Sequence, residues 1–171
     1  MSLPKRVTTL LVKNANPIFS LAHKLVPNTL QNHAVLFAVN QLAKEFIEQG
    51  DLDFMEGKIA KVEISDIGIS WFFTKTDAAL KMLHVSEQTS NVEADVVFSG
   101  TLDAIVLMAS QTVDPDTLFF NRQLKILGDT ELGLEIKNLI DQFDIDQLHS
   151  PVNKILNTWA DNILQTGALA G

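Results

Sequence analysis

The first regular pattern of apolar residues in the chain is helical. It follows Pro27, where Asn28 or Thr29 can cap a helix. Its apolar positions recur every three or four residues and share one face up to Gly50: Leu30, Ala34, Phe37, Ala38, Leu42 and Phe46. Before it, residues 1–26 mix apolar and basic positions, and their spacing does not separate a surface-bound arm from one packed on the body. We predict an N-terminal arm and then a helix.

From Ala60 onward the apolar period changes to two, which is typical of half-buried strands. The alternating stretches cover residues 60–65, 67–74, about 80–86 and 92–99. Turn residues at 66–68 and 75–77 separate the first three stretches. Strands joined by turns this short must be antiparallel.

Capping residues mark helices in the second half of the chain. Thr101 can cap a helix that runs to about residue 110 and is apolar almost all round, and Asp114 can cap a short helix that begins at Pro115. Asp129 can cap a longer amphipathic helix. Gly133 lies inside that helix at a cost of about 1 kcal/mol relative to alanine, which indicates a close approach to another backbone.

A further predicted strand, residues 122–127, lies between these helices. The order of elements predicts one α+β domain with helices on one face of a mixed, mostly antiparallel sheet of about five strands. We assign residues 27–145 to this domain and residues 150–166 to an amphipathic C-terminal helix that packs on it. The length of 171 residues suits a single core.

Charge is distributed unevenly along the chain. The net charge is −8, yet the first 44 residues carry five basic side chains and no acidic one. The acidic remainder disfavours nucleic acid as a partner. The basic arm can contact anionic lipid through Lys5, Arg6, Lys13 and Lys24, or it can be a solubilising bias.

The sequence offers little catalytic chemistry. It has no cysteine, no common nucleophile or nucleotide motif, and four histidines without metal-ligand spacing. We therefore predict no catalytic residue, no metal and no cofactor; Asp129 and Glu131 are the carboxylates that an enzyme would use. The uncharged stretch 25–43 is too polar to span a membrane, and we expect a cytoplasmic protein.

The apolar content raises a different possibility. It reaches 46%, with ten phenylalanines, two tryptophans and no tyrosine, which suits a core or a lipid cavity better than a sugar site. A dry cavity accepts apolar guests. The same residues can instead close-pack, and taken alone they favour that simpler interpretation.

The segment DPDTLFF followed by GDTELGL and KNL, residues 114–141, resembles the bacterial UbiT family. LDFMEGK (52–58), DIGISWFFT (66–74) and ADVVFSG (94–100) extend the resemblance over most of residues 28–143. Members of this family are accessory factors of oxygen-independent ubiquinone biosynthesis built on a sterol carrier protein type-two domain.

The resemblance implies a non-enzymatic protein with a hydrophobic tunnel between sheet and helices. The tunnel would hold polyprenylated ubiquinone precursors or a membrane phospholipid, and the protein would work with UbiU- and UbiV-like partners, in the cytoplasm or peripheral to the inner membrane. Alternatives are a general fatty acyl or phospholipid carrier, and an interaction scaffold. The candidate lining residues are Trp71, Phe73, Phe98, Ile105, Met108, Phe119, Phe120, Leu124, Ile126, Leu132 and Ile136.

Overall fold

The computed structural model describes residues 28–83, 92–148 and 150–166. Predictions made for residues 1–26, 84–86 and the tail after 166 lie outside these ranges. The helices are α1 (Asn28–Gln49), α2 (Leu102–Ala109), α3 (Pro115–Phe120), α4 (Thr130–Ile140) and α5 (Ser150–Thr166). The strands are β1 (Ala60–Ile64), β2 (Ile69–Thr76), β3 (Ala79–Leu83), β4 (Val96–Gly100) and β5 (Leu124–Gly128). Short 3-10 helices cover Asp53–Met55 and Ile145–Gln147.

The three helix caps predicted in the second half of the chain are confirmed. The Thr101 hydroxyl accepts the Ala104 N–H at the start of α2. The Asp114 carboxylate accepts the Asp116 N–H at 2.9 Å. At the start of α4, the Leu132 N–H donates to Asp129 at 3.1 Å. Each cap satisfies an N–H that the helix itself leaves without a partner.

The strands form one sheet in the order β3-β2-β1-β4-β5. Neighbouring strands are antiparallel except for β1 and β4, which are parallel. The predicted α+β class and mixed five-stranded sheet are therefore confirmed. Because β4 pairs with β1, β1 lies at the centre of the sheet. The β2–β3 hairpin is on one side of it, and β4 and then β5 are on the other.

Two strands begin later than the alternation predicts. β4 begins at Val96 because Asp95 makes a different contact, its carboxylate accepting the Ile59 N–H at 2.8 Å. β5 begins at Leu124 because the Gln123 N–H still donates to Leu118 of α3, at 2.9 Å. In both cases a hydrogen bond outside the strand pairing engages the first residues of the pattern; it is local for Gln123 and long-range for Asp95.

Gly133 does mark a close approach, but the prediction of a neighbouring backbone is wrong. A Cβ at this position would collide with the Cγ2 methyl of Ile126 and would lie 3.2 Å from that of Val96. The missing side chain lets α4 lie directly on β4 and β5.

The interior divides into two apolar clusters. The first core joins α1 and α4 to the sheet, and its buried members are Ala43, Leu52, Met55, Ala60, Leu80, Val96, Phe98, Leu132 and Leu139. The second core joins α2, α3 and α5 to the sheet, and its buried members are Ile64, Leu102, Val106, Leu107, Met108, Leu118, Leu124, Ala160 and Ile163.

Candidate functional site

A row of apolar side chains crosses the middle of the sheet on the face that the helices cover. Strand register aligns Val62 of β1 with Trp71 on one side and with Phe98 on the other, and Phe98 aligns with Ile126. Side chains two residues apart on a strand share a face. Ala60 and Ile64, on either side of Val62, are buried in the first and second core respectively, so the whole row faces the helices.

Val62 lies where the two cores meet. Phe98 and Ile126 belong to the first core, and Trp71 packs against the second. Val62 is only half-buried, although it occupies the centre of the central strand, and it is in neither core as described. We call the row Trp71, Val62, Phe98 and Ile126 the seam.

Helices on both sides of the seam are held by specific contacts. Asn40 of α1 donates to Leu80 O and accepts the Leu80 N–H, each at 2.9 Å, which fixes α1 along the edge strand β3. On the other side, α5 packs into the second core through Ala160 and Ile163. Different elements therefore hold the two sets of helices over the sheet.

One polar contact lies at the end of the row. The indole N–H of Trp71 donates to the side-chain oxygen of Asn32 on α1 at 3.0 Å. This bond orients the flat face of the indole while satisfying its only donor. An apolar guest would therefore meet a ring whose polar group already has a partner.

The structure places the eleven predicted lining residues in the first core, in the second core, beside Ala60 and at the surface. Phe98 and Leu132 are buried in the first core, with Ile126 and Ile136 packed against it. Met108 and Leu124 are buried in the second core, with Trp71 and Ile105 packed against it. Phe73 is buried beside Ala60 on the same face. Phe119 and Phe120 lie at the surface, 43% and 78% exposed, and are not brought together with the other nine.

Sequence reasoning did not select Val62, Asn32 or Trp159 as candidate lining residues. Val62 was visible as part of an alternating strand, but its central position depends on the parallel pairing of β1 with β4. Trp159 packs against the second core from α5. Its helical spacing was a usable signal, whereas nothing in the local sequence links Asn32 to Trp71.

The carboxylates suggested for catalysis have structural surroundings. Asp129 caps α4, and Glu131 is exposed in the first turn of that helix. The helix N-terminus accounts for both positions. The basis for an acid–base pair at these residues is thereby removed.

Two buried, charged amines form ion pairs away from the seam. Lys75 donates to Asp53 at 2.8 Å and to Glu56 at 3.0 Å, and these hydrogen bonds raise its pKa above the ordinary value. Lys137 lies 2.8 Å from Asp116, and this hydrogen bond likewise raises its pKa. Both amines therefore stay charged and act as structural contacts between elements.

A polar depression of about 500 Å³ lies at the outer surface of α5. Its lining residues are Asp146, Leu148, Asn153, Lys154, Asn157, Thr158 and Asp161. It is open to solvent and mainly polar, so it does not resemble a site for an apolar chain.

Two further features of the described ranges concern metal ions and membranes. No cluster of three or more His, Cys, Asp or Glu side chains that could hold a metal ion occurs there. None of the helices in those ranges has the length and hydropathy needed to cross a bilayer.

The sheet order and its helical cover define a sterol-carrier-like α+β domain, and comparisons with known proteins agree. Residues 39–141 match the model of the SCP-2 sterol transfer family. The chain belongs to this family and is UbiT-like within it. It is 33% identical over 144 residues to the ubiquinone biosynthesis accessory factor UbiT of Escherichia coli K12, covering 84% of this chain and 79% of that protein.

Other relatives support the same assignment. UbiT of Escherichia coli O157:H7 matches with the same identity and coverage. Among solved structures, a UbiJ-SCP2 ubiquinone synthesis protein superposes with a TM-score of 0.55 at 15% identity, covering 68% of this chain and 93% of its own. At that identity the structural match supports the fold alone.

Proposed function

We propose that this protein is a non-enzymatic, lipid-binding accessory factor of ubiquinone biosynthesis, and that it holds the apolar chain of its lipid in the seam. The lipid is a polyprenylated ubiquinone precursor, with a membrane phospholipid as the other guest of the same apolar chemistry. The name and identity of the UbiT relatives support the pathway.

One structural observation carries the proposed location. The centre of the sheet is its most protected position, yet Val62 there is only half-buried, between two cores that both reach the row. A close-packed domain would bury the middle of its central strand. Incomplete cover at this position is what a chain lying across the sheet between the two sets of helices requires.

The energetics favour a long apolar guest. Each methylene removed from water contributes about 0.8 kcal/mol, so a prenyl or acyl chain gains several kcal/mol from a few buried units. The row supplies an indole, a phenyl ring and two branched aliphatic side chains. Lining of this kind gives affinity without strict selection of the chain, so selectivity would depend on the headgroup.

We further propose that the bound lipid is presented to enzymes that hydroxylate the ubiquinone precursor, with UbiU- and UbiV-like proteins as partners. A chain without cysteine holds no iron–sulfur cluster of its own, so this division of labour leaves redox chemistry to the partners. Capture of these partners should be stronger for the lipid-loaded protein. Equal capture by a variant that cannot hold lipid would instead favour a scaffold.

The basic N-terminal arm belongs to the same proposal. Lys5, Arg6, Lys13 and Lys24 would bring the carrier to an anionic membrane, where its lipid is available. These residues lie outside the described ranges, so the argument for them comes from charge alone.

Lipid extraction from the natively purified protein, followed by mass spectrometry, tests the function. We expect a prenylated quinone precursor or a phospholipid in near-stoichiometric amount, and binding of added prenylquinone to the emptied protein. A sample denatured before purification and refolded without lipid is the control for adventitious carry-over. Absence of both copurified lipid and prenylquinone binding would rule out the proposal.

A further inference from the structure

The C-terminal end of α3 presents two aromatic rings to solvent. Phe119 is 43% exposed and Phe120 is 78% exposed, while Leu118 is fully buried in the second core. The two rings meet edge-to-face, with centroids 5.9 Å apart and planes at 72°. Leu118 fixes the helix, and the two rings extend from it as one apolar unit.

The residue that follows this helix has an unusual backbone conformation. Arg122 has φ of 59°, in the left-handed region that glycine usually occupies after a helix. Its N–H donates to Phe119 O at 2.9 Å, and the next N–H, of Gln123, donates to Leu118 O at 2.9 Å. This is the Schellman arrangement, with arginine where glycine would avoid the steric cost.

A second residue in the left-handed region, Gln111, makes internal hydrogen bonds that explain its strained backbone. Gln111 has φ of 52° after α2, and its side-chain amide donates to the carbonyls of Ile140 and Phe143 at 3.1 and 2.7 Å. Its strain thus serves an internal contact at the end of α4. Within the described ranges the exposed guanidinium of Arg122 forms neither an ion pair nor a hydrogen bond, so no internal contact explains its strain.

Basic and acidic residues lie at opposite ends of this short helix. Arg122 and Lys125, the first exposed residue of β5, lie at its C-terminal end. The acidic residues Asp114 and Asp116 lie at its start, where Asp114 is the cap and Asp116 neutralises Lys137. In a protein of net charge −8, this end of α3 is apolar and cationic.

We propose that Phe119, Phe120 and Arg122 form a membrane anchor that inserts into the surface of an anionic bilayer. The rings would enter the boundary between headgroups and acyl chains, and the guanidinium would bind lipid phosphate. Two rings are far smaller than the roughly 800 Å² per partner of a stable protein interface, whereas a bilayer surface can be entered by two side chains. The anchor is independent of which lipid occupies the seam.

The test is sedimentation of the full chain with vesicles of phosphatidylcholine containing phosphatidylglycerol. Arg122→Gly should weaken binding about fivefold, the factor that corresponds to roughly 1 kcal/mol per cation at an anionic surface. The same variant should raise the melting temperature by about 2–4 °C, because glycine relieves the left-handed strain. Phe120→Ser should also weaken binding, and Arg122→Lys should retain most of it.

Ile155→Ser on α5 is the matched control, since Ile155 is also strongly exposed, at 67%. It should bind vesicles as the wild type does. The proposal is overturned if Arg122→Gly and Phe120→Ser both keep wild-type vesicle binding, including the case in which they lose a protein partner instead. It is also overturned if Arg122→Gly lowers the melting temperature, because the arginine would then be structural.

Discussion

At the scale of single residues, Asp95 joins three parts of the fold. Its carboxylate accepts the Ile59 N–H at 2.8 Å and lies 3.3 Å from the Lys58 amine. Its carbonyl accepts the N–H of Asp129, the cap of α4, at 2.8 Å. The hydrogen bond from Ile59, with the Lys58 amine adding to it, holds the pKa of Asp95 below its ordinary value.

Replacing Asp95 should therefore give a pH-dependent loss of stability. Asp95→Ala should lower the free energy of unfolding by about 1–3 kcal/mol at pH 7, because the Ile59 N–H loses its partner. A lowered pKa means that the ionised carboxylate stabilises the fold above its unfolded pKa of about 3.9 and loses that contribution as pH falls through the folded value. Urea unfolding of both proteins should show the difference narrowing below about pH 4; a constant difference contradicts the carboxylate's role.

At the scale of elements, one buried amine joins α3 to α4. Lys137 of α4 lies 2.8 Å from Asp116 of α3 and 3.6 Å from Asp141 at the end of α4, and its side chain is 8% exposed. Burial raises the pKa of Asp141, and the nearby Asp114 and Asp116 charges add to this effect. The two carboxylates thus contribute differently: Asp116 neutralises the amine, and Asp141 adds an unfavourable charge at a helix C-terminus.

The substitutions Asp141→Asn and Asp116→Asn should then have opposite signs. Asp141→Asn should stabilise the protein by about 0.3–1 kcal/mol at pH 7, as expected for removing a carboxylate from a helix C-terminus. Because the folded pKa of Asp141 is raised, its cost is fully present above that value and disappears below the unfolded pKa, so the gain should vanish in acid. Asp116→Asn should destabilise, since Lys137 keeps only its more distant partner. Thermal unfolding between pH 3 and 7 measures both; equal signs would contradict the assignment.

An element's start could be predicted from the sequence where the interaction that fixes it joins residues close together in the chain. Caps at Thr101, Asp114 and Asp129 were readable because the donor and acceptor lie within three residues of each other. The start of β4 could not be predicted, because Asp95 accepts a hydrogen bond from Ile59, which lies on a distant part of the chain. Gly133 signalled a close contact but not that Ile126 supplies it.

At the scale of the whole molecule, the sequence predicted the fold class and three of the four residues of the seam, Trp71, Phe98 and Ile126, but not Val62. The alternation of apolar and polar residues identified β1 and β4 as strands. No pattern within either strand indicates that the two pair in parallel, which is what makes Val62 central. Phe119 and Phe120 are large and apolar, as expected of residues that line a lipid site. They are nevertheless exposed, because Leu118 is the residue that α3 buries in the second core. Membership of the SCP-2 family is consistent with the fold class that the order of elements predicts.

The central claim is that an apolar chain binds above Val62, and a pair of matched substitutions tests it most directly. Val62→Phe adds bulk within the seam, whereas Val97→Phe adds the same bulk on the opposite face of the adjacent strand β4, where Val97 aligns with Lys61. The quantity to measure is the affinity of each purified, folded variant for a prenylated quinone, followed by the fluorescence of Trp71 and Trp159, the two tryptophans of the chain. We predict that Val62→Phe weakens binding about tenfold or more, equivalent to roughly 1.4 kcal/mol, while Val97→Phe binds as the wild type does. Equal affinity of Val62→Phe and the wild type would contradict the account.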